Sequence, residues 1–473
     1  MNLDVLAQVR PSARQLRWQR SGFHGFVHFG VNTVTDREWG TGHEDPAIFD
    51  PPDVDAGQWV DAMAAAGMGG VVLTAKHHDG FCLWPSAHTA HSVAASPWRG
   101  GRGDLVAEVA TACAAAGLRF GIYLSPWDRA DARYGTGRAY DDYFVAQLTE
   151  LLTGYGEVFC VWLDGANGEG PDGRRQFHDW DRYHRVVRDL QPQAVIGVCG
   201  PDVRWCGNEA GHVRADEWSV VPHELLDAEY TASKSQQADD GRFSRRVRSD
   251  QEDLGSRDAL AGYTGECVWY PAEVNTSIRP GWFHHPAQDD QVRSAGELFD
   301  LWRGAVGGNA GFLLNVPPTA QGRLAAPDVA ALRGLGGLIA QHRAADHAAA
   351  ATATVSSGDG SALAGEPAPE RAPWRPDDDR PRLVLQFPGA FTCRSVDLWE
   401  DIASGQRIEE FSVVLHRDGR EVWRGGAGVV GHLRMLDVPD VETDRIVVTL
   451  ERFRARPALL GVRTVAGAAR RRP

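Results

Sequence analysis

The stretch FCVWLDGANG, residues 159–168, drives a run of large apolar side chains toward a core and then ends it on a carboxylate, Asp164, followed by small residues. An aspartate before glycine often does no more than form a turn. Other segments of this chain repeat the pattern, however, and end apolar runs on groups that can do chemistry. HFG carries His28 and leads on to the pair Glu38 and Trp39, while LTAKHHDGF carries Lys76, His77, His78 and Asp79. IYLSPWDR offers Tyr123, Trp127 and Asp128, and Trp162 stands two residues before Asp164. Further on, RWCGNEAG holds Trp205, Asn208 and Glu209, ECVWYPAE ends on Glu273, and SIRPGW supplies Arg279 and Trp282.

Carboxylates, imidazoles and indoles gathered at one rim suit a sugar, which presents hydroxyls to bond and apolar C–H faces for rings to cover. Two chemistries compete for such a rim. Metal-assisted hydrolysis wants clustered ligands with an open coordination position. Here the first strand reads H-F-G instead of H-x-H, and only His77, His78 and Asp79 crowd together, as chain neighbours that do not easily aim at one ion. Alternation along a strand would turn only one of the two histidines inward. Glycoside hydrolysis needs an ionised carboxylate as nucleophile and a protonated one as acid/base, about 5–5.5 Å apart in a retaining enzyme. Asp164, at a rigid strand end, suits the first role, and Glu209, on a glycine-flanked loop, suits the second. The glycosidase reading therefore ranks first.

The elements that must position these groups follow a strand–loop–helix rhythm up to about residue 345. The expected strands are FVHFG (26–30), GVVLTAKH (70–77), LRFGIYLS (118–125), VFCVWLD (158–164), AVIGVCG (194–200), EWSVV (217–221), ECVWYPAE (266–273) and AGFLLNVP (310–317). Most are apolar throughout, as parallel strands covered on both faces are. Amphipathic stretches between them close on glycine, as DLVAEVATACAAAG does on Gly117, where a left-handed residue costs little. About eight such units predict a (β/α)8-like TIM barrel over residues 1–345 with its site at the C-terminal strand ends. A doubly wound sheet is the rival, but no G-x-G-x-x-G follows the first strand. Composition then shifts. Residues 346–380 are rich in Ala, Pro, Gly and Asp and are expected to be an irregular linker. Residues 381–473 alternate like strands, with Asp418-Gly419 as a hairpin turn, and are expected to form a C-terminal β-sandwich.

The bulk properties set outer bounds. Acidic residues outnumber basic ones, 63 against 49, a balance that argues against nucleic acid or an anionic membrane as partner. The 7 scattered cysteines form no C-x-x-C pair, which fits reduced structural thiols better than a disulfide framework or a zinc site. The first twenty residues hold no apolar stretch of signal-peptide length, so a cytoplasmic location is expected. No cofactor or metal requirement is visible.

Taken in order, HFGVNTVTDREWGTGHEDP, LTAKHHDGFCLWPS, GDLVAEV, FGIYLSPWDR, VWLDGANGE, WCGNEAG and GGNAGFLLNVPPTAQGRL closely resemble the glycoside hydrolase family 29 α-L-fucosidases, over most of residues 20–325. Within that family they resemble the subgroup that prefers α-1,3/1,4-linked fucose. The resemblance implies a (β/α)8-like barrel followed by a β-sandwich, and a retaining exo-hydrolase that acts on fucosylated oligosaccharides. It implies Asp164 as nucleophile, from W-x-D-G, and Glu209 as acid/base, from G-N-E-A-G. It also implies fucose contacts at His28, Glu38, Trp39, His77, His78, Tyr123 and Trp162, with Arg279 and Trp282 touching the sugar or its aglycone. The C-terminal region keeps little of a discoidin-like carbohydrate module and is read as a buttress for the barrel as readily as a sugar-binding unit. A fucose-binding protein without activity is the other functional class, and the intact pair Asp164 and Glu209 argues against it.

Overall fold

A computed structural model describes residues 3–235, 253–368 and 371–467. Eight parallel strands form the first sheet: β1 (Phe23–Val27), β2 (Gly70–Lys76), β3 (Arg119–Leu124), β4 (Cys160–Leu163), β5 (Val195–Val198), β6 (Arg204–Trp205), β9 (Ala272–Ser277) and β10 (Gly311–Asn315). Their order is β5-β4-β3-β2-β1-β10-β9-β6, and a parallel bridge between Gly197 and Val203 brings the two edges together into a nearly closed barrel. β1, β2 and β10 are buried at every residue. That is why they read as unbroken apolar runs: helices cover the outside and side chains fill the inside.

The helices begin and end where the local chemistry directs. Asp55 and Asp104 cap Ala56–Ala65 and Leu105–Ala116 by accepting the Gln58 and Ala107 N–H groups. Leu105–Ala116 then ends on Gly117 at φ 70°, the left-handed cap expected of that glycine.

Two segments expected as the sixth and seventh barrel strands do something else. β7 (Val220–Pro222) and β8 (Cys267–Trp269) pair antiparallel as a separate two-stranded ribbon, while the barrel positions go to Arg204–Trp205 and Ala272–Ser277. β6 has only two residues, too few for any periodicity to show, and AEVNTS is polar enough to read as a loop. Glu273, expected at a strand end, therefore lies near the start of β9 and inside the barrel.

The C-terminal domain is one antiparallel sheet of β11 (Thr352–Val355), β12 (Arg382–Glu400), β13 (Ile408–Arg417), β14 (Arg420–Ala427), β15 (Arg434–Phe453) and β16 (Leu459–Ala466). β12 and β15 run 19 and 20 residues and are interrupted by bulges, so β12 pairs with β11 at one end and with β16 at the other. The first of these partners, β11, lies within the stretch expected as linker. The β13–β14 turn falls on Asp418 and Gly419, at φ 50° and 76°, the double left-handed geometry of a tight hairpin.

Trp399, Leu433 and Met435 carry the C-terminal domain into the barrel's own apolar core. A buried charge cluster fixes the same junction. Asp397 on β12 accepts from His342 Nε2 (3.0 Å), on the long helix Ala326–Ala344, and from Arg463 Nε (2.9 Å) and Nη2 (2.7 Å) on β16. Burial alone would raise the Asp397 carboxyl, but the His342 hydrogen bond and the Arg463 charge outweigh it and hold the group below its ordinary value.

An Asp397→Ala variant leaves the buried donors of His342, Arg463 and Ser395 facing an empty site and is expected to lose about 3–5 kcal/mol of unfolding free energy. Denaturant titration at neutral pH measures this, and an unchanged midpoint would remove the cluster from the fold's support. Because the folded value is depressed, the stabilisation is present above the unfolded value, about 3.9, and fades as pH falls through the lower folded one.

Candidate functional site

The C-terminal strand ends bring most of the expected residues into one aromatic-walled hollow. Asp164 follows β4 directly and keeps 20% of its side chain exposed. Its Oδ1 accepts the Ala166 N–H at 2.8 Å, and its Oδ2 accepts the Tyr123 hydroxyl at 2.9 Å. Tyr123 ends a buried strand, and burial together with the Asp164 charge pushes its phenol well above the usual range, so it stays a donor. Tyr123 stacks on Trp162 at 5.3 Å, and Trp162 Nε1 donates to Glu273 at 2.7 Å.

The three histidines are all buried and all neutral. His28 is lowered to about 3, and His78 to about 4, chiefly by burial. His77 is lowered well below its ordinary value by burial and by its two histidine neighbours. Their proton positions follow from their partners. Asn315 uses its Nδ2 on Ser277 Oγ and the Trp282 carbonyl, so its Oδ1, 2.8 Å from His28 Nδ1, must receive a proton and His28 Nε2 is left as an acceptor. Asn32 Nδ2 donates to His77 Nδ1 at 3.3 Å, which leaves the proton on Nε2. Ser125 Oγ donates to the Trp127 carbonyl and so takes the His78 Nδ1 proton at 2.7 Å. A set of neutral imidazoles with fixed donors and acceptors suits hydroxyl groups and adds no charge.

Both His77 and His78 join the site, against the alternation expected of a continuing strand. β2 stops at Lys76, so the two lie past the pleat. His77 stacks on Tyr123 at 5.8 Å, and His78 packs on Trp127 at 4.8 Å with Nε2 3.8 Å from Asp164 Oδ2. Trp39 closes the same wall, edge-on to His78 at 5.8 Å and to Trp127 at 5.4 Å.

On the opposite side, Trp282 rests against His28 at 5.2 Å and directs Nε1 toward Glu209 Oε2 at 3.4 Å. Glu38 accepts the Trp282 N–H at 2.8 Å and the Phe283 N–H at 3.2 Å, and so sutures the loop after β1 to the loop after β9.

Arg279 does not join the hollow. Its side chain is fully buried, and its guanidinium is consumed by Asp328 (Nε 3.0 Å, Nη2 2.8 Å) and Asp289 (Nη1 2.8 Å). A charge that deep survives only when paired, which makes this arginine a brace between the rim loop and helix Ala326–Ala344 and not a sugar contact. Lys76 is buried in the same manner, on Asp128 and Gln147.

Three residues that matter here were left out of the expected contacts. Asn315 ends the apolar run GFLLN as Asp164 ends FCVWLD, a signal present in the sequence. Ser125 likewise ends the expected strand LRFGIYLS, whereas Asn32, in the short helix Val31–Thr35, gave no such signal. Glu273 is buried beneath Trp162, and burial lifts its carboxyl to about 7 while the indole hydrogen bond opposes the shift. Among the described residues no three His, Cys, Asp or Glu side chains come together as a metal would require. Among the described residues no two cysteines form a disulfide, and no helix is long and apolar enough to cross a membrane.

With this geometry in place, comparison with known proteins is informative. The α-L-fucosidase family model matches residues 41–343. α-L-Fucosidase 1 of Arabidopsis thaliana is 37% identical over 469 residues, spanning 95% of this chain and 86% of the relative. A crystal structure from Bacteroides ovatus, assigned as an α-L-fucosidase, shares 40% identity at a TM-score of 0.83, covering all of this chain and 76% of its own. A family 29 fucosidase of Ruminococcus gnavus, crystallised with fucose, shares 25% identity at a TM-score of 0.82 over 98% of this chain and 96% of its own.

Arg279→Ala tests the brace. The uncompensated Asp328 is expected to cost about 3–5 kcal/mol, seen as a lower thermal midpoint. In whatever fraction remains folded, KM should stay within about twofold, since no ligand contact is lost. A raised KM at an unchanged midpoint would return Arg279 to the binding surface.

Proposed function

The chain belongs to the α-L-fucosidases of glycoside hydrolase family 29, and on that premise we propose that it releases terminal fucose by double displacement, with Asp164 as nucleophile and Glu209 as acid/base. The observation that carries this reading is the run of ring contacts joining the two carboxylates. From Tyr123, bonded to Asp164, the rings pass to Trp162 (5.3 Å), Phe26 (5.2 Å), His28 (4.5 Å) and Trp282 (5.2 Å), whose indole N–H reaches Glu209. Both acids are thus read as bordering one aromatic-lined hollow, which would suit a deoxysugar with a methyl group and an exposed C–H face.

In the first step Asp164 attacks the anomeric carbon while Glu209 gives its proton to the departing glycosidic oxygen. In the second, Glu209 takes a proton from water, the water oxygen bonds to the anomeric carbon, and the Asp164 carboxylate leaves. Tyr123 and the Ala166 N–H hold the two Asp164 oxygens before attack, which removes most of the reorientation the reaction would otherwise need. His28, His77 and His78 are read as partners of the sugar hydroxyls, and Trp39, Trp162 and Trp282 as the walls that cover its faces. Glu38 is read as a further hydroxyl acceptor at the seam between two loops. The substrate class is fucosylated oligosaccharide, and the resemblance to the α-1,3/1,4 subgroup makes 3- and 4-linked fucose the preferred form.

Azide separates the two carboxylate roles. Asp164→Ala should lose about 10⁴-fold or more in turnover and, with azide, form the β-fucosyl azide by single displacement. Glu209→Ala should lose about 10²–10⁴-fold on an oligosaccharide and form the α-fucosyl azide, because azide then intercepts a fucosyl-enzyme. Identical azide products from the two variants would contradict the assignment. Proton NMR of the wild-type reaction on 2′-, 3- and 4-linked substrates should show the α-anomer of fucose first, and a 2′-linked preference would remove the linkage reading.

A further inference from the structure

Glu38 is held by a third group besides the two backbone amides. His285 Nε2 lies 2.6 Å from Glu38 Oε1, and His285 Nδ1 lies 2.6 Å from Asp36 Oδ1. Ionised carboxylates only accept hydrogen bonds, so a ring with both nitrogens in such contacts donates from both and is an imidazolium. The Glu38 hydrogen bond, against the opposing effect of burial and with help from Asp36, holds this histidine above its ordinary value, whereas His28, His77 and His78 lie below theirs. Its neighbour His284 turns away to Asp289 at 3.2 Å. The acceptor side is fixed as well. Asp36 sits at φ 55° as the left-handed cap of the short helix Val31–Thr35, its N–H bonded to the Asn32 carbonyl. The chain of contacts then continues inward: Glu38 Oε2 holds the Trp282 N–H at 2.8 Å, and Trp282 Nε1 reaches Glu209 Oε2 at 3.4 Å.

We propose that His285 is a positioning residue for the acid/base: by drawing Asp36 and Glu38 together it fixes the Trp282 peptide, and through the Trp282 indole it fixes the carboxyl of Glu209. The inference rests on the reading of Glu209 given above. Without the imidazolium, two carboxylates on one loop face each other and Glu38 keeps only its amide partners. The loop carrying Trp282 then gains freedom at the point where its indole must meet Glu209. The consequence is specific to proton donation, because Asp164 is held by a separate set of contacts from Tyr123 and Ala166.

Two substrates of different leaving-group demand read this out. The aglycone of 2-chloro-4-nitrophenyl α-L-fucoside departs without a proton, whereas the sugar oxygen of a fucosylated trisaccharide must receive one. His285→Gln is expected to lower kcat on the trisaccharide by about 10-fold or more while kcat on the aryl fucoside changes by less than about threefold. Asp36→Asn provides a second variant that should fold, since Asp36 is 65% exposed and asparagine tolerates its left-handed backbone. It should shift the two rates in the same direction and by less. Equal losses on both substrates, or none on either, would reduce His285 to a structural staple and overturn the proposal. Glu209→Ala run alongside separates the layers. If it shows the leaving-group dependence and the other two variants do not, the positioning role alone fails. If it shows none, the acid/base reading fails and the inference goes with it.

Discussion

A carboxylate at the end of a buried strand must be compensated without being neutralised, and the site is organised around that constraint. Asp164 is compensated by one phenol and one backbone amide, each donating without transferring charge. Tyr123 can serve only because it is itself buried, on the neighbouring strand β3, in register with Trp162. The barrel supplies that register. A loop-borne aspartate would find similar partners only at the cost of ordering them.

The same economy explains why the surrounding histidines are neutral. Three imidazolium groups within ring-contact distance of one another would repel, and burial strips the solvent that would screen them. Each instead gives or takes one hydrogen bond from a polar side chain, Asn315, Asn32 or Ser125, which fixes its tautomer. A further positive charge sits at the rim's edge, on His285 between two acids, where it braces a loop. Deeper in, Arg279, Lys76 and Arg463 are each tied to buried aspartates and act as struts. These buried cations are thus paired within the frame, while Asp164 keeps part of its carboxylate open to the hollow.

The C-terminal sheet belongs to the frame. Its apolar contacts through Trp399, Leu433 and Met435 and the charge cluster at Asp397 seat it against the barrel. The residues proposed above as sugar contacts all come from the barrel and its loops.

Much of this was legible before any coordinates. Strands buried on both faces lose their alternation, so the barrel class followed from unbroken apolar runs, and the strand ends that carry His28, Tyr123, Trp162 and Asp164 followed with it. Those signals are local, because burial and helix capping act within a few residues. What the tertiary structure decided depends on partners far away in the chain. Two-residue β6 exists only because β9 pairs with it, and Val220–Pro222 leaves the barrel because Cys267–Trp269 offers it an edge. Arg279 is named by a motif but placed by Asp328, 49 residues on, and a motif cannot say whether a guanidinium meets a ligand or a buried acid. Glu38 meets the Trp282 amide across 244 positions and His285 across 247. No periodicity encodes a contact of that separation; only closing the barrel brings the loops after β1 and β9 together.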